Sequence, residues 1–452
     1  MLPEGFTEKY QQLLGAEAAP FLASFQNQGY KGFRINPLKP NPQAVNLDLT
    51  QSVPMTQWGY YGAVNGHQVD HQAGYVYSQE PSAMLVGAVA APKPGERVLD
   101  LCAAPGGKTT HLAGFMQQQG LLVANEIMPK RAKILAENVE RFGIENAVIT
   151  NETPARLAKK FVGYFDRILV DAPCSGEGMF RKDPGAKQYW TPDYPAACAQ
   201  RQREILTETL KMLRPGGELI YSTCTFSPEE DEQIIAWLLE QYPLSVVPIT
   251  RQAGMSAGRP EWADGNPELA GTLRLFPHLF NGEGHFMAKL RLTDGPVAAP
   301  SKTKKQRKHA APALTKEQQS LWQDFAKTML PTTSFGHLLV HRDHLFAQPL
   351  AVELKGLKVV RPGLPLGEFK RNRFEPAYAL ALTLASAPQQ LDLTTAQYVK
   401  YVHGETFTTD ATGKGWYLLR YQDKSVGFGK LTGTTMKNFF PKGLRFVADV
   451  AE

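Results

Sequence analysis

Between residues 96 and 290, short apolar and β-branched runs alternate with longer stretches in which apolar residues recur at helical spacing. The strand-like runs are RVLDLC, LLVANE, NAVITN, FDRILVDA, ELIYST and SVVPI. The helical stretches cover residues 108–118, 129–142, 154–161, 197–213 and 228–241. Strands that alternate with helices of this length are typical of βαβ units. The pattern therefore predicts an α/β fold with a parallel sheet.

The boundaries of these elements carry residues that start and stop helices. Pro129 and Pro228 stand near first-turn positions, and Pro215-Gly216-Gly217 follows the longest helical stretch. Further on, apolar runs at 273–279 and 285–292 are joined by Asn281-Gly282-Glu283-Gly284. A turn of this composition between two apolar runs favours a β-hairpin. We therefore expect the sheet to end in antiparallel strands.

The regions on either side have weaker patterns. Helical spacing covers residues 8–14 and 17–28, and a turn-rich, extended stretch follows from 32 to 66. Residues 314–330 again have helical spacing, and short strands alternate with turns over 339–384. The tail from 398 to 447 predicts a β-rich module, with turn points at the glycines 413, 415, 427, 429 and 433.

These shifts in pattern predict five segments. They are an N-terminal segment (1–92), the main α/β domain (93–292), a linker (293–313), a connecting domain (314–390) and a β-rich module (391–452). The linker is rich in Pro and Ala and carries five Lys or Arg residues between Lys302 and Lys308, as charged flexible linkers do.

Charge changes the picture of the C-terminal part. The chain has 452 residues and a net charge of +6, which divides into −4 over residues 1–290 and +10 over residues 291–452. A basic module joined to a mildly acidic one is typical of a nucleic-acid binder. The alternative is a solvated basic surface that has no partner.

Three further features of the sequence concern cellular location, membrane insertion and metal binding. The N-terminal stretch MLPEGFTEKYQQLL is polar and acidic where a signal peptide would be apolar. The longest mostly apolar run, residues 83–92, is half of the roughly 20 residues that a membrane span needs. The cysteines at 102, 174, 198 and 224 form no CxxC pair of the kind that binds zinc. We expect a cytoplasmic protein with free thiols, no membrane segment and no metal.

A small-residue loop follows the first predicted strand, with the sequence Asp100-Leu101-Cys102-Ala103-Ala104-Pro105-Gly106-Gly107-Lys108-Thr109. A P-loop would need glycine where Cys102 stands, and the G-x-G-x-x-G dinucleotide motif is absent. Glu126, at the end of the second predicted strand, can accept hydrogen bonds from both hydroxyls of a ribose. The pattern indicates an adenosine derivative without phosphates, and S-adenosylmethionine fits. In the alternative, the glycines only make a turn and Glu126 only caps a helix.

Two cysteines stand at the carboxyl ends of predicted strands, in Asp171-Ala172-Pro173-Cys174 and Ser222-Thr223-Cys224-Thr225. Open α/β sheets bind ligands beyond the carboxyl ends of their strands. Two thiols that converge there beside a nucleotide-type loop predict covalent chemistry on a bound substrate. The alternative is a pair of buried cysteines that only pack. The residues alone leave open which cysteine attacks.

Three motifs, DLCAAPGGKTTHLA, VDAPCSGEGMFRK and YSTCTFSPEED, together resemble those of the Sun-domain RNA cytosine-5 methyltransferases. The resemblance extends to HQAGYVYSQEPSAM and to GFRINPLK near the N-terminus. The segments RPGLPLGEFKRNRFEPAYALAL and GKLTGTTMKNFFPKGLR are similar to the bacterial ribosomal RNA branch, which carries a PUA-type RNA-binding domain.

The resemblance implies a Rossmann-like class I methyltransferase sheet with an N-terminal α/β extension and a C-terminal β-rich PUA-like module. Residues 1–92 and 391–452 would bind RNA. The resemblance also implies that Cys224 is the nucleophile. For that reaction we expect Cys174 to assist release and Lys108 to contribute positive charge. We expect Asp171 to stabilise the adduct if it holds a proton at that moment. The residues implied to contact S-adenosylmethionine are Cys102, Ala103, Ala104, Pro105, Gly106, Gly107, Lys108, Glu126 and Asp171.

Two details concern ligand recognition. The family commonly places an Asp after the third strand to hold the adenine amine, whereas this sequence has Asn151-Glu152-Thr153, so Asn151 or Glu152 would substitute.

The loop from 179 to 194 combines aromatic and basic residues that suit unstacked RNA bases, although its aromatics also suit packing onto the sheet. These residues are Phe180, Arg181, Lys182, Lys187, Tyr189, Trp190 and Tyr194.

We expect a monomer that acts on ribosomal RNA of the small subunit (16S), with transfer RNA as the main rival substrate. An amino-group methyltransferase would show a D/N-P-P-Y/F run where this chain has Asp171-Ala172-Pro173-Cys174. A third hypothesis is a non-catalytic RNA chaperone with the same fold. The presence of both thiols and of the glycine loop argues against it.

Overall fold

The computed structural model describes residues 2–183, 185–293, 314–348, 350 and 352–448. The predicted basic linker, 293–313, lies outside the described residues except for Thr293. Among the described residues, no helix has both the length and the apolar character that crossing a membrane requires.

The N-terminal region consists of two helices and a small antiparallel sheet. Its elements are α1 (Phe6–Leu14), α2 (Ala18–Ser24), β1 (Gly32–Ile35), β2 (Gly59–Tyr61), α3 (Val69–Gln72) and β3 (Val76–Ser78). β1 lies between β2 and β3 and pairs with both of them antiparallel. The two helices predicted from spacing are confirmed, the second ending four residues earlier than expected.

The main domain follows, and every strand and helix predicted for it is present within a few residues. Its elements are α4 (Pro81–Ala90), β4 (Arg97–Asp100), α5 (Gly107–Met116), β5 (Leu121–Asn125), α6 (Pro129–Arg141), β6 (Ala147–Thr150), α7 (Pro154–Lys160), β7 (Phe165–Asp171), α8 (Ala186–Tyr189), α9 (Tyr194–Leu210), β8 (Leu213–Thr223), α10 (Glu232–Gln241), β9 (Leu244–Val246), β10 (Ser256–Ala257), β11 (Leu273–Leu275) and β12 (His285–Leu292).

The central sheet runs in the order β10-β11-β12-β8-β7-β4-β5-β6. The strands from β8 to β6 are parallel to one another, and β12 is antiparallel to both β8 and β11, as the hairpin signal predicted. β4 has β5 on one side and β7 on the other, so the strand order reverses there. Such a reversal opens a crevice at the carboxyl ends of the strands, where α/β proteins bind ligands.

Helices cover both faces of this sheet, so its strands are buried on both sides. Successive residues of one strand belong to different cores: Val98 packs on one face of β4, and Leu99 packs on the other. Both side chains are fully buried. This burial explains why the strands read as continuous apolar runs and not as an alternation with polar residues.

The C-terminal region contains a second antiparallel sheet and a long two-stranded ribbon. Its elements are α11 (Lys316–Met329), β13 (His337–His341), β14 (His344–Gln348), β15 (Val359–Arg361), β16 (Leu364–Lys370), β17 (Arg373–Pro376), α12 (Tyr378–Thr383), β18 (Gln390–Asp392), α13 (Thr395–His403), β19 (Phe407–Tyr421) and β20 (Lys424–Asn438). β15 belongs to this part of the chain, but it pairs antiparallel with β6 at the edge of the central sheet.

The expected turn points of the tail are wrong. The five glycines lie inside β19 and β20, and the chain reverses at Gln422 and Asp423, which both have left-handed φ angles, 48° and 60°. A two-residue hairpin loop needs that backbone conformation. Gly427 is required for packing, since a Cβ there would lie 2.0 Å from the hydroxyl of Tyr401. The start of the tail, predicted to be β-rich, is the helix α13.

Candidate active site

The two reactive thiols lie side by side at the carboxyl edge of the sheet. β7 and β8 are parallel neighbours in which Asp171 is paired with Ser222, so the loops that follow both strands leave the sheet together. The Sγ atoms of Cys174 and Cys224 are 3.3 Å apart, and both residues are partly exposed. The predicted convergence of the two thiols is confirmed.

The two sulfurs are not equivalent. The pKa of the Cys174 thiol is raised well above its usual value by its hydrogen bond to Cys224, by burial and by the charge of Cys224. Cys174 therefore keeps its proton at neutral pH and can donate it to the Cys224 sulfur. Because a cysteine is nucleophilic as its thiolate, the raised pKa disfavours Cys174 as the attacking group.

Lys108 and Asp171 form an ion pair beside the thiols, with 2.6 Å between Nζ and Oδ2. The other carboxylate oxygen, Oδ1, accepts a hydrogen bond from the Ser222 hydroxyl at 2.8 Å. Burial alone would raise the pKa of Asp171, but Lys108, His285 and the Ser222 hydrogen bond outweigh it, and the pKa is lowered. The carboxylate form of Asp171 is therefore favoured in the free protein.

The proton of this pair is on Lys108. Burial lowers the pKa of its ammonium, but the charges of Asp171 and Cys224 raise it, and the net shift is upward. The sulfur of Cys224 therefore lies within electrostatic reach of a permanent cation.

The glycine loop between β4 and α5 is held from outside by α6. Arg131 donates to the carbonyl of Ala104 at 2.7 Å, and Asn138 donates to that of Pro105 at 2.7 Å. Gly106 has a left-handed φ of 117°, and a Cβ there would lie 3.3 Å from side chains of α6. Only glycine fits this close approach without strain.

Asp100 and Cys102 lie at the base of this loop. Asp100 is fully buried, accepts a hydrogen bond from Thr109 at 2.6 Å and has its other oxygen without a partner. Burial raises its pKa to about 7. Burial also raises the pKa of the Cys102 thiol, so this cysteine is an inert part of the loop. An unpartnered buried acceptor at the start of the loop fits a polar ligand such as S-adenosylmethionine.

Glu126 directly follows β5 and is 3% exposed. Its Oε1 accepts a hydrogen bond from the backbone of Met128 at 2.8 Å, and its Oε2 lies 3.4 Å from Arg131. A carboxylate has about four lone-pair sites, so this carboxylate retains capacity for ribose hydroxyls. The position fits the nucleoside part of the expected cofactor.

The residues after β6 are engaged by protein groups. Glu152 accepts a hydrogen bond from the backbone of Lys358 at 2.7 Å and pairs with Arg156 at 3.1 Å. The Asn151 amide nitrogen donates to the carbonyls of Glu126 and Ile127. Glu152 is buried, whereas Asn151 is partly exposed and donates through its amide nitrogen, so the amide oxygen of Asn151 is the better candidate for the adenine amine.

The structure separates the predicted RNA-gripping residues into two groups. Phe180 and Trp190 are buried in an aromatic cluster with α1 and α2, and Arg181 is buried in an ion pair with Glu283. These three side chains cannot stack on a base or contact a phosphate, so that part of the prediction is wrong. Tyr189 is 76% exposed. Lys182 is exposed and Lys187 half-buried, and both remain candidates.

Sequence reasoning missed the carboxylates that support the thiol loops. Glu177 is fully buried and accepts hydrogen bonds from Trp190, Phe226 and Ser227. Trp190 follows the Cys174 loop in the chain, whereas Phe226 and Ser227 follow Cys224. The signal was present, since Glu177 belongs to the VDAPCSGEGMFRK motif.

Among the described residues, no group of three or more His, Cys, Asp or Glu side chains is placed to hold a metal ion.

Four family models match consecutive parts of the chain. The one described as 16S rRNA methyltransferase RsmB/F matches residues 88–291. The N-terminal domain of 16S rRNA methyltransferase RsmF matches 2–81, and the RsmF rRNA methyltransferase first C-terminal domain matches 324–384. The methyltransferase RsmF PUA domain matches 388–446.

Curated proteins match over nearly the full length. Ribosomal RNA small subunit methyltransferase F from Vibrio vulnificus is 32% identical and covers 98% of this chain and 97% of its own. The protein of the same name from Cronobacter sakazakii is 31% identical, with 98% and 96% covered.

Solved structures match the central part. A methyltransferase homolog protein from Pyrococcus horikoshii has a TM-score of 0.57 and 30% identity, over 63% of this chain and 93% of that one. NSun6 from Pyrococcus horikoshii with SFG, an analogue of S-adenosylmethionine, has a TM-score of 0.57 and 21% identity, over 65% and 99%. At that identity, the second likeness supports the fold alone.

Proposed function

The chain belongs to the RsmB/F family of 16S rRNA methyltransferases, and on this premise we propose which of its residues carry out the reaction. It is an S-adenosylmethionine-dependent rRNA methyltransferase of the cytosine-5 class. We propose that methylation of the small-subunit RNA proceeds through a covalent bond between the Cys224 sulfur and carbon 6 of cytosine. The observation that carries this proposal is the 3.3 Å contact of Cys174 with Cys224 beside the Lys108–Asp171 ion pair.

Carbon 5 of cytosine is not nucleophilic at neutral pH. Addition of the Cys224 thiolate to carbon 6 breaks the aromaticity of the ring and leaves an enamine whose carbon 5 can attack a methyl group. The ionised Asp171 is an acceptor for the exocyclic amine of the base. The Lys108 ammonium is a donor for ring nitrogen 3, where electron density grows during addition. This division replaces the role in which Asp171 itself donates a proton.

Release of the product requires that carbon 5 lose its proton. Once the Cys224 sulfur is a thioether, Cys174 loses both its hydrogen-bond acceptor and the adjacent negative charge, the causes that raise its pKa. Its thiol proton then passes to water. The Cys174 thiolate takes the proton from carbon 5, the double bond re-forms and the bond from carbon 6 to sulfur breaks. Cys224 leaves as a thiolate, and Cys174 is again a thiol.

The cofactor site is formed by the loop from Cys102 to Lys108, by Glu126 and by Asp171. Glu126 holds the ribose, and Asn151 is the candidate for the adenine amine. Bound S-adenosylmethionine supplies the methyl group as a sulfonium. In this proposal no metal takes part.

The RNA partner is recognised by modules on both sides of the catalytic domain. We assign RNA binding to residues 1–92 and 391–452, with 93–292 as the catalytic domain, 293–313 as a linker and 314–390 as a connecting domain. The relatives named ribosomal RNA small subunit methyltransferase F support 16S rRNA as the substrate. We propose a monomer that acts in the cytoplasm.

The proposal predicts opposite outcomes for two cysteine variants incubated with 16S rRNA and S-adenosylmethionine. Cys224→Ala removes the attacking thiolate and should abolish methyl transfer. Cys174→Ala still allows attack and methylation but lacks the base for release, so it should accumulate a protein–RNA adduct that survives a denaturing gel. The double variant should form no adduct.

Other outcomes would identify other functions. An adduct in Cys224→Ala but not in Cys174→Ala would reverse the two roles. If no variant forms an adduct and the methyl group is on nitrogen by mass spectrometry, the protein is an amino-group methyltransferase. Bisulfite sequencing of cellular RNA with and without the protein tests the substrate, since loss of methylation only in transfer RNA would contradict the ribosomal assignment.

A further inference from the structure

Behind the two thiols, one buried carboxyl group connects their loops. Glu230 is fully buried, and its Oε2 accepts hydrogen bonds from the backbone of Ser175 at 2.9 Å and from the Gln202 side chain at 2.8 Å. The Ser175 hydroxyl donates to its Oε1. Gln202 also donates to the carbonyl of Pro173 at 3.1 Å. Glu230 and Gln202 therefore fix the backbone on both sides of Cys174.

The same network reaches the loop of the nucleophile. The Ser175 hydroxyl lies 2.8 Å from the hydroxyl of Thr225, the residue that follows Cys224. The backbone carbonyl of Glu230 accepts a hydrogen bond from Tyr221 of β8 at 2.7 Å. Ser175, Thr225 and Tyr221 are all buried. The carboxyl group of Glu230 thus connects the two loops through a chain of direct hydrogen bonds.

We propose that Glu230 is a positioning residue for product release: it holds Cys174 against the sulfur of Cys224, where Cys174 can take the proton from carbon 5 of the methylated base. The inference rests on the proposed function, in which Cys224 attacks and Cys174 accepts that proton. The carboxyl group touches neither the base nor the cofactor. It acts through Ser175, whose backbone N–H and hydroxyl it binds and whose hydroxyl contacts Thr225.

The protonation state of Glu230 sets the design of the test. Burial, together with the charge of Glu177, raises the pKa of Glu230 to about 8. At pH 7 the group is mostly neutral, so glutamine is its isosteric replacement. The glutamine oxygen can accept from the Ser175 backbone and Gln202, and its amide can donate to the Ser175 hydroxyl. Alanine removes all three contacts and leaves buried donors without partners.

The test compares variants by denaturing gel after incubation with 16S rRNA and S-adenosylmethionine at pH 7. Glu230→Ala should accumulate the methylated protein–RNA adduct, as Cys174→Ala does, with steady-state turnover lower by about 10²-fold, the order expected for a displaced catalytic group. Glu230→Gln should turn over without an adduct. Turnover without an adduct in Glu230→Ala, or an adduct in Glu230→Gln, would overturn the inference.

Two further variants separate positioning from general damage. Glu218→Ala removes a buried carboxylate of β8 at the opposite edge of the sheet, where it pairs with Arg167, Lys289 and Arg291. It should lower thermal stability without accumulating the adduct. If Glu230→Ala does not fold, Ser175→Ala takes its place, since it removes the hydroxyl between Glu230 and Thr225 and should also accumulate adduct. Ser175→Ala turning over without an adduct would contradict the inference.

The cysteine variants distinguish the two levels of the proposal. If Cys174→Ala accumulates no adduct, the proposed mechanism fails and the role of Glu230 falls with it. If Cys174→Ala accumulates the adduct and folded Glu230→Ala does not, the mechanism stands and only the positioning role is wrong.

Discussion

At the scale of single residues, the chemistry depends on the charges around one sulfur. The Lys108 ammonium pairs with the Asp171 carboxylate, and its pKa is raised by the charges of Asp171 and Cys224 despite burial. The neutral thiol of Cys174, whose pKa is raised, lies 3.3 Å from the same sulfur. Cys224 therefore has both a cation and a neutral thiol as neighbours. Neither Cys102 nor Cys198 has such an environment, because burial raises the pKa of both thiols.

This asymmetry predicts the order in which the cysteines react with iodoacetamide at pH 7 in the absence of RNA. Cys224 should be alkylated first, Cys174 slowly, and the fully buried Cys198 last. Lys108→Met removes the cation and should slow the alkylation of Cys224 by about tenfold, the effect of about 1.4 kcal/mol of lost attraction. Peptide mass spectrometry over time measures each rate.

The matched control is Lys93→Met, an exposed lysine before β4 at the far edge of the sheet. It should leave all cysteine rates unchanged. Faster alkylation of Cys174 than of Cys224, or equal Cys224 rates in the two lysine variants, would contradict the assignment of the thiolate.

Most of this site could be predicted from the sequence, because its residues follow predicted strands directly. The proximity of Cys174, Cys224 and Asp171 could be predicted because the carboxyl ends of parallel strands meet at one edge of a sheet. The protonation states could not be predicted, since they depend on the 2.6 Å contact of Lys108 with Asp171. Phe180 and Trp190 were assigned to RNA because a sequence does not reveal that α1 and α2 cover them.

At the scale of elements, an unexpected strand, β15, extends the central sheet beside β6. Residues 352–361, here called the edge segment, run from the connecting domain along the edge of the central sheet and contribute β15. The backbone of Lys358 donates to Glu152 and accepts from the backbone of Asn151 at 2.9 Å. The segment covers an open strand edge, and it fixes the two residues that follow β6.

Replacing Lys358 by proline should disturb this edge. The substitution removes the N–H that donates to the buried Glu152 carboxylate, and a buried acceptor left unpaired costs about 1–3 kcal/mol. We expect Lys358→Pro to lower the melting temperature and to weaken S-adenosylmethionine binding severalfold in calorimetry, because Asn151 and Glu126 lose their support.

Lys355→Pro is the control within the same segment. Leu357 donates to the carbonyl of Leu354 at 3.1 Å, and Gly356 has a φ of 88°, which is a turn that accepts proline at Lys355. This variant should bind the cofactor normally and have equal or higher stability. If Lys358→Pro binds the cofactor as tightly as Lys355→Pro, the edge segment does not support the cofactor site.

The edge segment shows why some elements escape sequence analysis. The strands of the central sheet are buried on both faces and read as long apolar runs, so their bounds were predicted within a few residues. β15 has three residues, all half-buried, and its strand form depends on its partner β6. The glycines of β19 and β20 were taken for turn points because the packing of Tyr401 against Gly427 is invisible in the sequence.

At the scale of the whole molecule, the first and last segments of the chain share one core. Phe33, Ile35 and Tyr75 of the N-terminal region pack with Tyr401 and Leu419 of the C-terminal module. A buried ion pair, with 3.1 Å between Asp70 and Lys424, joins the same two regions. Removing the C-terminal module would therefore expose a core as well as remove charge, so RNA affinity is better tested by surface substitutions.

The charge of +10 over residues 291–452 predicts that exposed lysines of the C-terminal module contact phosphates. Changing Lys414, Lys437 and Lys442 to Gln should weaken binding to 16S rRNA and flatten the slope of log K against log salt by about 2. Each phosphate contact that is lost means that fewer counterions are released when the RNA binds. The control changes three exposed lysines at the amino edge of the central sheet, Lys93, Lys159 and Lys211. Filter binding from low to high salt measures both slopes. Because the two triple variants lose the same net charge, equal slopes would contradict a role of the C-terminal module in RNA binding, whereas a flatter slope in the first variant alone localises the contacts to that module.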